Sequence, residues 1–339
     1  MNNLYDDGQQ KWPTVLGSNS LYLIVLVLML AVSALVFGLF MLKGMDIVNA
    51  TNTEAWLIAT LVMEIVVIGI PPLIYLLASG MDIKHVVRIN RAKGVELLLV
   101  LGMAVFGYFI VAFINLVWYS ILSRIGTPVQ PLFPSIKTGK QYILAILAMA
   151  VIPAVVEEFL FRGVILRGYE RFGTLTAVVV SGVLFGLLHL NLVNLPAIIF
   201  LGIMIGYVVV RTDSIFSGML YHFIQNLLSI SFLFLQEIVQ GSLGDEMAIQ
   251  QNIEQIPPEL LVTTMAVLGI IAFLCVGLFA ACVSSLHRIT HGKERVRSLM
   301  LGEAKGFSIK EMWPAIVAGV IVIADMCVRI VEMIQNVQL

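Results

Sequence analysis

The sequence predicts an all-α, polytopic membrane protein with about nine transmembrane helices. Three observations predict it. Of the 339 residues, 60% are hydrophobic and only 12% are charged, against about 25% charged in soluble domains. Mean hydropathy is +0.99. The apolar residues fall in runs long enough to cross a bilayer, which takes about 20 residues as a helix. A net charge of −1 says nothing about partners, and no basic block points to nucleic acid. Cys275, Cys282 and Cys327 sit in apolar segments without CxxC spacing, so they read as small core or lipid-facing residues with no disulfide framework.

The first 19 residues are polar, with Asp6, Asp7 and Lys11. The apolar run after them is too long for a signal-peptide core and reads as a retained transmembrane helix. Spans are predicted near 20–42, 56–78, 95–122, 141–168, 174–190, 195–211, 214–236, 259–286 and 313–335. The fifth and sixth are short and joined by NLVNL, which predicts a tight antiparallel pair. Two links have real length: an acidic one at 237–258 and a basic one at 287–312, the latter a positive-inside signature beside anionic headgroups. Three parts follow, at 1–140, 141–236 and 237–339.

Lys and Arg orient the set. With the N-terminus inside, inner segments hold fifteen of the twenty, including Arg88, Arg162, Arg167, Arg171 and Arg211. Lys43, Arg124, Lys137, Lys140 and Arg329 remain outside. The expected topology has a cytosolic N-terminus and an external C-terminus.

Ionisable groups inside a membrane span are costly, and they mark functional sites by default. Glu157 and Glu158 are adjacent in the fourth span, with Arg162 four residues on. His189 lies in the fifth, and His222 and Asn226 in the seventh. At 1.5 Å per residue, Glu158 lies roughly 15 Å from the inner face and His189 roughly 22 Å. His222 and Asn226 lie roughly 12 and 18 Å from it. Four-residue spacing puts groups on one helix face, while sequence neighbours diverge by about 100°. Glu158 therefore pairs with Arg162, and Glu157 points elsewhere as the candidate chemical carboxylate. His222 and Asn226 share a face, and so do Phe185 and His189, with Phe185 a packing wall beside the imidazole. Gly182 and Gly186, and Gly202 and Gly206, have small-xxx-small spacing that allows close backbone approach.

The remaining buried charges read as structural. Glu64, near Pro71 and Pro72, reads as helix-kink packing ahead of a place in a cleft, and Asp325 and Arg329 neutralise each other at four residues' spacing. His85, His287 and His291 lie in basic loops and read as solvated.

Glu157-Glu158-x-x-x-Arg162, Phe185-x-x-x-His189 and His222-x-x-x-Asn226, in that order and in separate spans, resemble the three motifs of the CPBP intramembrane proteases. That family includes the CAAX prenyl endopeptidase and the bacterial Abi-type proteins. The resemblance covers about 141–236 and implies a four-helix catalytic core there. It implies an intramembrane endopeptidase acting on a membrane-associated peptide or a lipidated protein tail, in the bilayer of a bacterial cell membrane. Glu157 and His189 would activate water, His222 and Asn226 would stabilise the oxyanion, and Glu158, Arg162 and Phe185 would support them. Family members have also been described as metalloproteases. Two histidines plus a carboxylate with an open position suit catalytic zinc, so Glu157, His189 and His222 are the candidate ligands and zinc the candidate cofactor. The spacing has no HExxH helix and leaves metal-bound and metal-free water both open. A non-catalytic membrane partner, an immunity protein or a transporter using the same polar cluster is the competing function.

Overall fold

The computed structural model describes residues 11–42, 53–128, 133, 135–243, 258–291 and 308–335. Within them run nine long helices and no strand. They are α1 (Val15–Leu42), α2 (Thr53–Ala78), α3 (Gly94–Leu122), α4 (Gly139–Phe172) and α5 (Thr174–Leu188). After these come α6 (Leu195–Thr212), α7 (Ile215–Leu243), α8 (Pro258–Thr290) and α9 (Ile309–Gln335). Most of the acidic link 237–258 and of the basic link 287–312 lies outside the described residues.

Eight of the nine are long and apolar enough to cross a membrane; α5, with 15 residues, is the exception. It extends about 22 Å, less than a hydrocarbon core of about 30 Å. The expected fifth span is therefore real as a helix but short. It nevertheless reverses the chain. The segments following α2, α4, α6 and α8 meet at one end of the molecule, where Arg167 donates to the Val86 carbonyl at 2.6 Å and Arg211 to the His287 carbonyl at 2.7 Å. The start of α1 is at that end too, because the Arg167 guanidinium lies 4.7 Å from the Trp12 ring. The opposite end gathers the starts of α2 and α4 through Lys140 and Glu54 at 2.7 Å. It also holds the end of α9, whose Met333 carbonyl accepts from Thr127 N at 2.9 Å. The helices therefore alternate, and the start of α1 and the end of α9 lie at opposite ends.

Several arginines counted as loop charges have buried partners instead. Arg88 pairs with Glu170, and with Asp213 at 3.0 Å, and Glu170 also takes Arg167 at 2.8 Å. Asp213 caps α6 in the left-handed region at φ 52°, and Arg88 itself stands at φ 59°. Burial alone would lower the Arg88 pKa, but Glu170 and then Asp213 outweigh it and hold the guanidinium above its ordinary value. Arg211 ties α6 to α8 through Thr290 Oγ1 at 3.0 Å. These side chains satisfy backbone carbonyls and carboxylates at the helix ends, where an apolar chain has few other donors. His85, expected to be solvated, is half-buried against Trp12 with ring centroids 5.3 Å apart. Asp325 and Arg329 pair at 2.7 Å, as their spacing predicts.

Two apolar cores flank the centre. One joins α1, α2, α4, α5 and α9 through residues such as Tyr22, Phe161, Phe185 and Val322. The other joins α3, α6, α7 and α8 through Met103, Ile205, Tyr221 and Leu286. Helices α5 and α6 form the predicted tight pair. A Cβ on Gly182 would stand 2.7 Å from Ile203 N, and one on Gly202 would stand 2.9 Å from the Gly182 carbonyl oxygen. Backbone blocks both positions, so a methyl has nowhere to go. Gly182→Ala is expected to destabilise the protein by about 1–3 kcal/mol through overpacking. Thermal unfolding in detergent checks this, and an unchanged midpoint would show that α5 and α6 can separate freely.

Candidate active site

The site grows out of an irregularity in α4. A capping box opens the helix: Thr138 Oγ1 accepts from Gln141 N at 3.2 Å, and the Gln141 side chain answers on Thr138 N at 3.1 Å. The chain then widens into a π-helical stretch at Leu147–Val151, returns to α at Ile152–Glu158 and widens again at Phe159–Ile165. Pro153, at the start of the middle α segment, lacks the N–H of a regular turn and suits this break. Such stretches are rare and often accompany functional sites. Both glutamates close the middle segment, Glu157 with 6% of its surface exposed and Glu158 with none.

The two carboxylates meet the same imidazole. Glu158 Oε1 accepts from Arg162 Nη1 at 2.8 Å and lies 3.0 Å from His222 Nδ1. Glu157 Oε2 lies 3.9 Å from His222 Nε2, beyond hydrogen-bond range but close enough for charge to act. Glu158 meets Arg162 as its spacing predicts, and it also reaches His222. Side chains about 100° apart on one helix can each reach a nitrogen of a ring lodged between them. Glu157 Oε2 is buried without a hydrogen-bond partner. Glu158 Oε2 is also buried without one, and Glu157 Oε2 is distinguished by its 3.9 Å approach to His222 Nε2.

Arg162 is fully buried and donates its other amine to the Gly202 carbonyl of α6 at 2.6 Å. Its guanidinium lies 4.8 Å from the centre of the Phe185 ring. Phe185 in turn lies 4.8 Å from the His189 ring and 5.6 Å from the His222 ring, centroid to centroid. It is the wall between the two histidines. Asn226, one turn beyond His222 on α7, donates one amide hydrogen to the Met149 carbonyl at 2.9 Å. That carbonyl lies in the first π-helical stretch.

His189 stands differently from its partners. It closes α5 as the C-cap residue and is exposed. Its Nδ1 lies 2.8 Å from the Phe185 carbonyl. A carbonyl only accepts, so Nδ1 carries the hydrogen and Nε2 keeps its lone pair when the ring is neutral. No hydrogen bond or ion pair among the described residues joins His189 to Glu157 or His222; the contact runs through the Phe185 ring. The candidate zinc ligands are accordingly not gathered. Among the described residues no group of three His, Cys, Asp or Glu side chains is placed to hold a metal ion.

Of two further residues near the site, Glu64 was read as kink packing and Gly218 escaped the sequence reading. Glu64 opens a π-helical turn at Glu64–Gly69 in α2, just ahead of Pro71 and Pro72. The kink was expected. Beyond it, Glu64 has a buried, unpartnered Oε2 and lies within electrostatic reach of Glu157. Its distance from the end of α2, about 14 residues or roughly 21 Å, was the available signal, because it matches the level of the other polar groups. Gly218 precedes His222 by one turn, and a Cβ there would stand 2.9 Å from Glu158 Oε2 and 2.5 Å from Val209 Cγ2. Gly218→Ala is expected to push the carboxylate off Arg162 and His222, at about 1–3 kcal/mol, with the loss read as a lower unfolding midpoint. A wild-type midpoint would mean that Glu158 is free to shift.

Residues 139–228 match the family described as type II CAAX prenyl endopeptidase Rce1-like. No curated protein and no solved structure matches the chain. The matched stretch runs from the start of α4 into α7 and contains Glu157, Glu158, Arg162, Phe185, His189, His222 and Asn226. It covers the segment whose three motifs resemble the CPBP proteases. The chain is thus an integral membrane protein in which residues 139–228, from α4 into α7, are similar to the Rce1-like type II CAAX prenyl endopeptidases.

Proposed function

We propose that the protein is an intramembrane endopeptidase that cleaves the tail of a prenylated, membrane-associated protein. The observation that carries this reading is the buried, unpartnered Glu157 Oε2 beside the His222 imidazole. The substrate class rests on the family match, whose name specifies CAAX prenyl endopeptidases.

The chemistry follows from the atoms left open. Glu157, helped by the His189 Nε2 lone pair, takes a proton from water as the water oxygen attacks the scissile carbonyl carbon. The carbonyl π electrons move to oxygen. His222 Nε2–H and the second Asn226 amide hydrogen, the one not given to Met149, donate to that oxyanion. As the C–N bond breaks, the proton held on Glu157 passes to the leaving amine. His222 donates from Nε2 while Glu158 takes its Nδ1–H, so both ring nitrogens carry hydrogen. Glu157, Glu158, Arg162 and this imidazolium then sum to zero charge, which a buried apolar site favours. No step is routed through a metal, because the candidate ligands do not converge. The basic asymmetry of the sequence supports placing the α2–α4–α6–α8 end, and with it the N-terminus, in the cytosol.

The test is cleavage of a farnesylated CAAX peptide by the full-length protein in nanodiscs. Loss of a general base costs about 10²–10⁴-fold, so Glu157→Ala and His189→Ala are expected to lower kcat by that much while the protein still inserts. Asn226→Ala is expected to cost about 10²–10³-fold. Full activity in both Glu157→Ala and His189→Ala would leave the non-catalytic reading standing. Incubation with 1,10-phenanthroline is expected to leave cleavage unchanged. Loss on chelation with recovery on added zinc would overturn the metal-free assignment alone.

A further inference from the structure

His189 owes its place to a turn, and the turn owes its shape to helices outside the matched segment. The connection at 189–194 joins α5 to α6, and Leu190 and Val193 within it are buried. A buried backbone polar group needs a partner. The turn meets that demand in three ways. Leu190 N donates to the Leu187 carbonyl at 3.2 Å, and Asn194 N donates to Asn191 Oδ1 at 3.2 Å. The third bond comes from α3: the Trp118 indole Nε1–H donates to the Leu192 carbonyl at 2.8 Å.

Three further features show how tightly the turn is held. Leu190, the residue after His189, sits in the left-handed region at φ 48°, a conformation that non-glycine residues adopt only where their surroundings impose it. Val193 is buried with Leu122 of α3 and Met333 of α9, and Trp118, Tyr119 and Leu192 pack around them. Met333 is itself fixed by the bond from Thr127 N to its carbonyl. The ends of α3 and α9 therefore form a clamp on the turn, and among the described residues only Trp118 contributes a polar bond to it from a side chain outside.

We propose that Trp118 is a positioning residue for His189: its indole N–H fixes the 189–194 turn in the conformation that presents His189 Nε2 to the site. This rests on the reading of His189 as part of the catalytic machinery. Trp118 touches no reacting atom, and its effect passes through Leu192 and the strained Leu190. It gives the motif-free third and ninth helices a part in the chemistry.

The test separates positioning from packing. Trp118→Phe keeps an aromatic ring and removes the donor. Should phenylalanine unfold the protein, benzothienylalanine at position 118 puts sulfur where the indole has N–H and leaves the shape intact. Misplacement remote from the chemistry can cost up to about 10²-fold. On the farnesylated peptide, kcat is expected to fall about tenfold or more, with KM and the unfolding midpoint unchanged. Independently of activity, the protein is labelled with ¹⁵N-histidine and the His189 signals are assigned by their loss in His189→Ala. Those signals are expected to move in the donor-less variant while the His287 and His291 signals stay. Unmoved His189 signals overturn the proposal whatever the activity does. Wild-type cleavage by His189→Ala would instead remove the catalytic reading of His189, and the histidine spectra would still report whether Trp118 sets its position.

Discussion

The arrangement of the centre depends on how one buried carboxylate is neutralised. Glu158 has no exposed surface, and its Oε1 is shared by Arg162 on its own helix and His222 on α7. Arg162 then reaches the Gly202 carbonyl on α6 and lies against Phe185 on α5. Four helices are thereby locked in register around one charged pair. Gly218 makes the approach of α7 possible because no Cβ stands between that helix and the carboxylate. A buried ion pair is weak as a source of stability, since apolar side chains of similar volume often do as well. What it supplies here is orientation. It turns His222 so that Nε2 faces Glu157, and that relation is the one on which the proposed chemistry relies.

Helix existence was legible from hydrocarbon alone, because each run of about 20 apolar residues has no other way to satisfy its backbone in a membrane. The i, i+4 pairs were legible for the same elementary reason. Glu158 meets Arg162, Asp325 meets Arg329, and Phe185 stacks near His189, as their spacing requires. What one dimension does not carry is which helices become neighbours. Arg88, Arg167 and Arg211 count as loop charges along the chain, but Glu170, Asp213 and Thr290 arrive beside them from elements 79 to 125 residues away or from the adjoining turn. Glu64 reads as kink packing until α2 brings it near Glu157. The shared approach of Glu157 and Glu158 to His222 was hidden for a related reason: facing is a property of one helix, whereas an imidazole from another helix can bridge two faces.

Helix α4 shows how an irregular backbone is kept inside a membrane and put to use. Its π-helical stretches disturb the regular ladder, and each has a carbonyl met by a side chain from elsewhere. Asn226 of α7 donates to Met149, Ser181 of α5 donates to Phe161, and Ser18 of α1 donates to Val164. The widened stretches are therefore stabilised by three different neighbours, and they bracket the Ile152–Glu158 segment that holds both glutamates. Asn226 is the informative case. Its bond to Met149 supports the irregular backbone and fixes an amide one turn from His222 on α7. In the proposed mechanism the break in α4 supplies the acceptor that orients Asn226, so the cost of distorting a membrane helix and the preorganisation of the proposed donor pair arise from the same few atoms.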